Sequence, residues 1–143
     1  MRKPIAFLGI TLALFAGMPA AASAANVVAR VSISDQTMTV IHDGVIRHTW
    51  RVSTARKGKV TPHGSWNAKW LSKNHRSSRY NNAPMPYAIF YSGNFAVHGT
   101  NQVKQLGRPA SAGCVRLDTA NAAKLYSIAQ RVGLKNLRIV VTH

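Results

Sequence analysis

Only one segment of this 143-residue chain repeats its apolar residues at helical spacing. Ala122, Leu125, Ile128, Ala129 and Val132 fall on one face of a helix over about 119–132, with Asp118 or Thr119 placed to cap it and Gly133 to stop it. That stripe is the expected core contact of a single packed helix. Elsewhere beyond residue 26 the pattern is short alternating runs separated by turn chemistry. Residues 27–33 and 37–41 predict two strands around Ser34-Asp35-Gln36, and Asp43-Gly44 predicts a hairpin into a third strand over 45–53. Residues 85–91 and 94–98 predict a further pair around Ser92-Gly93, and 137–142 a closing strand. Trp66, Trp70 and Leu71 suit a strand or a cleft wall. The polar run Ser72–Ala83 reads as a long surface loop, which either covers a groove or merely connects. The expected fold class is mainly β with one packed helix.

The first residues have a different character. Arg2 and Lys3 precede an apolar run from Ile5 to Met18 broken only by Thr11, then Pro19 and small residues with an A-x-A site at Ala22-Ser23-Ala24. This is the pattern of a secretory signal over residues 1–24, with the domain proper over 25–143. The apolar run is shorter than the roughly 20 residues a spanning helix needs. Cleavage would leave no transmembrane segment and an exported protein of the periplasm or cell envelope.

Charge excludes several chemistries. The chain carries +16, or +14 once Arg2 and Lys3 leave with the signal, and its only carboxylates are Asp35, Asp43 and Asp118. Asp35 and Asp43 sit in turns and Asp118 at a helix start, so no carboxylate pair is available for glycosidase chemistry. Six histidines and one cysteine show neither His-x-x-x-His nor Cys-x-x-Cys spacing, and no metal site is expected. The basic residues would draw polyanions, but no signature of specific nucleic-acid binding accompanies them.

The chemistry concentrates in residues 98–116, HGTNQVKQLGRPASAGCVR. Cys114 is the only cysteine. In an exported protein an unpaired thiol cannot be half of an intrachain disulfide, which favours a reactive group over an inert core residue. His98 closes an apolar run and supplies a candidate base, and a nearby imidazole or positive field is expected to lower the thiol pKa. Gly113 allows a sharp turn and close approach of a substrate carbonyl to the backbone N–H groups of Gly113 and Cys114. His63, also followed by glycine, is the rival base.

These residues resemble the signature of the L,D-transpeptidase (YkuD-type) family: His-Gly, a spacer, then Ser-x-Gly-Cys-[Val/Ile]-Arg, here His98-Gly99 and Ser111-Ala112-Gly113-Cys114-Val115-Arg116. The resemblance extends over the opening strands and to Thr61-Pro62-His63-Gly64, where His63 takes a variable slot. Two positions depart from it. Ala112 stands where many relatives carry a second histidine, and Ala55 follows Ser53-Thr54 where relatives carry glycine, so a glycine-dependent turn is expected to differ.

The resemblance implies a β-sandwich-like transpeptidase fold, no cofactor, and acylation of Cys114 by peptidoglycan stem peptides with His98 moving the proton. The acyl group would pass to an amine, giving a 3→3 cross-link, attachment to an envelope protein or D-amino-acid exchange. Gly99, Ser111, Gly113 and Arg116 would bind substrate or support the site, Arg116 as either a carboxylate clamp or a structural buttress. Two other readings stay open: a hydrolase using the same thiol, and a non-catalytic basic envelope-binding protein.

Overall fold

A computed structural model describes residues 26–143 and Gly17. The expected signal over residues 1–24 lies outside the described residues, Gly17 apart. The order of elements is β1 (Val27–Ser32), β2 (Thr37–His42), β3 (Val45–Arg51), β4 (Gly64–Asn67), β5 (Trp70–Arg76), β6 (Pro84–Ser92), β7 (Phe95–Thr100), β8 (Val115–Asp118), α1 (Thr119–Val132) and β9 (Leu137–Thr142), with 3-10 turns at Val103–Gln105 and Leu134–Asn136.

The strands form two sheets. One has the order β3-β2-β1-β9-β4 and the other β5-β6-β7-β8. The opening meander β1-β2-β3 is antiparallel, and β9 returns parallel to β1 with Val27 opposite Leu137. Alternation sets what lies between the layers. Val27, Ala29 and Val31 of β1 point inward with Leu137, Ile139 and Val141 of β9, and they meet Ile89, Tyr91, Val97, Val115 and Leu117 of the second sheet. The helix adds Ala122, Leu125, Ile128 and Ala129 to the same core, packing against β6 and β7. Leu125 is fully buried, so truncation to alanine would cost about 2–5 kcal/mol. Asp118 caps the helix, its Oδ1 accepting from Ala120 N–H at 2.9 Å. No described helix is long and apolar enough to cross a membrane.

The expected surface loop over 72–83 is corrected. Its first half is β5, paired antiparallel with β6 from Trp70–Phe90 to Arg76–Pro84. β5 is the edge of its sheet, so polar residues there meet solvent at no cost and leave no apolar alternation to read. Only residues 77–83 form turns. Ser77 accepts from the N–H groups of Arg79 and Tyr80, and its own N–H donates to Ala83 O at 2.9 Å.

Candidate active site

The register of β7 and β8 builds the site. The two strands run parallel with Val97 opposite Val115 and His98 opposite Arg116. Val97 and Val115 point into the core, so His98 and Arg116 point to the opposite face. Cys114 lies one residue before β8, two residues from Arg116, and shares that face: it packs against a small cluster of Met85, Ala88, Phe90 and Ala96. Thiol, imidazole and guanidinium thus project from adjacent strands into one cleft of about 430 Å³. Ser111, Ala112 and Gly113 form part of its lining.

One wall comes from β5 and β6. Phe90 and Trp70 stack flat at 3.8 Å, and the His75 ring meets Phe90 edge-on at 4.9 Å. His75 reaches this face because Tyr87 takes a positive φ of 53°. That bend interrupts the pleat, so Met85 joins the face of Ala88 and Phe90, and His75, opposite Met85, joins it too. Residues 77–80 and 83 of the turn after β5 complete the rim.

The loop that presents Cys114 is fixed by buried hydroxyls. Ser111 is fully buried, its Oγ donating to Cys114 O at 2.6 Å and accepting from Gly113 N–H at 3.0 Å. Thr61, from the Thr-Pro-His-Gly stretch, donates through Oγ1 to Gly113 O at 2.8 Å and accepts from Ala55 N–H at 2.9 Å. Thr54 O receives the N–H groups of Ala110 and Ser111, while Gln36 holds Thr54 through both its amide atoms. Ser53 exchanges two backbone hydrogen bonds with Arg116 and covers the far side of β8. Ser53, Thr54, Thr61 and Gln36 were not among the sequence-predicted site residues. The Ser53-Thr54 and Thr61-Pro62 stretches were the available signal. Ala55 keeps φ outside the left-handed region and bridges to Ser111, so no glycine-dependent turn is lost there.

The two glycines act sterically. Gly113 has φ of 142°, and a Cβ there would lie 2.7 Å from Phe95 Cε1 and 3.0 Å from Val60 O. Gly99 lies outside the cleft lining. A Cβ there would sit 2.9 Å from Thr119 Cα, so its lack of a side chain lets the start of α1 approach β7.

Protonation departs from the sequence expectation. Burial is the main influence on His98 and pushes its pKa down to about 4; a hydrogen bond to Gly99 O opposes this, and Arg116 and His75 push further down. Burial likewise pushes the Cys114 thiol up, against a backbone hydrogen bond from Ala96 and the Arg116 charge. The expected lowering of the thiol pKa is therefore reversed. The resting pair is neutral thiol and neutral imidazole. The Gly99 carbonyl, 2.7 Å from His98 Nδ1, can only accept, so Nδ1 carries the proton and Nε2 keeps its lone pair. Such a pair can do thiol addition with general-base assistance. Gly113 N–H is already committed to Ser111 Oγ, which leaves Cys114's own N–H as the oxyanion donor available from the expected pair. His63 is exposed, 6.1 Å ring-to-ring from His143 and outside the cleft lining.

The fold and this signature agree with what is known of other proteins. The family model of the L,D-transpeptidase catalytic domain, YkuD, matches residues 26–141, and the chain belongs to that family. Among solved structures, an L,D-transpeptidase from Mycobacterium smegmatis superposes with a TM-score of 0.74 at 22% identity, over 83% of this chain and 59% of that one. One from Mycobacterium tuberculosis gives 0.74 at 24% identity, over 83% and 58%. The LD transpeptidase LdtMt1 in complex with imipenem gives 0.74 at 23%, over 82% and 59%. The chain thus spans under two thirds of the length of these relatives. A search of curated proteins found no significant match.

Proposed function

We propose that this protein is an exported cysteine L,D-transpeptidase acting on peptidoglycan stem peptides in the cell envelope. The observation that carries the reading is the projection of His98 on β7 and Cys114, immediately before the neighbouring β8, into one cleft, inside a domain of this family. Cys114 Sγ attacks the carbonyl at the L-centre of the third stem residue as His98 Nε2 takes the thiol proton. The tetrahedral oxyanion is met by backbone N–H. Collapse breaks the C–N bond, and His98 returns the proton to the departing D-amino acid, leaving a thioester. An acceptor amine then attacks the thioester, His98 takes its proton, and Cys114 recovers a neutral thiol.

Incubation with a purified disaccharide-tetrapeptide, read by mass spectrometry, tests this. Release of the terminal D-amino acid with cross-linked dimer is expected. Free tripeptide alone would make the protein a hydrolase. Absence of product together with no mass shift on imipenem treatment would make it a non-catalytic binder. Cys114→Ala should lose both product and imipenem adduct while keeping the wild-type circular dichroism.

A further inference from the structure

The cleft carries positive charge with nothing to neutralise it. Arg56, Arg79 and Arg116 line it, and none of the chain's three carboxylates does. Arg116 is half-buried, and its side-chain acceptors are two neutral amides, Gln102 Oε1 at 3.5 Å and Gln105 Oε1 at 3.2 Å, both on Nη1. The rest of its guanidinium fork is unpaired among the described residues. Arg56 is held beside the same loop, its N–H donating to Ser111 O at 2.9 Å, next to the Ala55–Ser111 bridge. The two charges repel: Arg56 is among the groups that lower the proton affinity of Arg116, after burial. A half-buried guanidinium beside a second one is an unfavourable arrangement that an anion would relieve.

We propose that Arg116 and Arg56 form a carboxylate subsite that grips the free C-terminal carboxylate of the residue about to be released from the donor peptide. This inference rests on the transpeptidase reading and names how that site selects its donor. The position fits. Arg116 lies on the face of Cys114, two residues away, and opposite His98 across the strand pair. In the departing amino acid the carboxylate is separated from the scissile nitrogen by one carbon, so a carbonyl held at Sγ sets the carboxylate close beside it. An enzyme that removes a single terminal residue must recognise a chain end, and a forked cation is suited to do so bidentately. Arg116 would then be a clamp, not a buttress, and the Gln102 and Gln105 amides would orient its fork.

The test compares a stem tetrapeptide ending in a free carboxylate with the same peptide ending in a carboxamide. Wild type should favour the acid by about 100-fold in kcat/KM. Arg116→Gln should lower turnover of the acid far more than that of the amide, bringing the two rates close together; Arg116→Lys should recover part of the preference, and Arg56→Gln should lose about tenfold of it. Lys135→Gln, at an exposed site away from the cleft, controls for the general field. Equal turnover of both peptides by wild type, or equal losses on both peptides in the arginine variants, would overturn the subsite. If wild type turns over neither peptide, the transpeptidase reading fails, and calorimetric binding to Cys114→Ala still decides the subsite. Tighter binding of acid than amide, abolished by Arg116→Gln, supports it; equal binding refutes it.

Discussion

Burying His98 in its neutral form has a measurable cost in acid. The unfolded chain should bind this proton with a pKa near 6.5, whereas the folded chain holds it only below about 4. Between those values the unfolded state carries more protons, so stability contributed by the neutral imidazole is complete above about 6.5 and is lost as pH falls toward 4. The gap, at about 1.36 kcal/mol for each tenfold in the proton equilibrium, gives a loss of about 2 kcal/mol by pH 5 and about 3 by pH 4. His98→Gln removes the titration and keeps a polar side chain that can donate toward Gly99 O. Urea unfolding of both proteins at pH 7, 5 and 4 compares two chains that differ only at this side chain. The stability advantage of wild type over the variant should shrink by those amounts. Parallel curves for wild type and His98→Gln from pH 7 to 4 would refute the buried neutral imidazole and the proton route built on it.

Two further expectations concern the loop. Gly113→Ala would push a methyl into Phe95 and the Val60 carbonyl at a backbone angle that side chains rarely adopt, costing about 1–3 kcal/mol in thermal unfolding and abolishing imipenem acylation. Ser111→Ala would orphan the Gly113 N–H and the Cys114 carbonyl; a loss of about 1–3 kcal/mol should accompany a fall of about 10–100-fold in acylation rate as Cys114 loosens.

The sequence made local features legible and left tertiary ones hidden. The meander, the Asp43-Gly44 hairpin, the helix with its Asp118 cap and the closing strand all form where their patterns place them. These rest on alternation, turn residues and helical spacing, which neighbours in the chain decide. β5 was hidden because an edge strand has no need of two apolar faces. Entry of His75 into the cleft depends on one bent residue, Tyr87, whose type gives no hint of a positive φ. The thiol and imidazole could be named from the motif, but their protonation depends on burial, which no spacing reveals. The Gln36–Thr54 and Thr61–Gly113 hydrogen bonds join segments 18 and 52 residues apart, beyond any local pattern.

The face that Cys114, His98 and Arg116 share is dictated by the pairing of two strands, and strand pairing is discrete. A slip of one residue in β8 would turn its half of the cleft into the core and bring Val115 and Leu117 out to water. Intermediate alignments have no ladder to support them. Damage to this pair should therefore act on the number of competent molecules more than on the competence of each. In a partly defective preparation, the titrated fraction of reactive thiols would fall while the acylation rate constant of the surviving fraction stayed at its wild-type value.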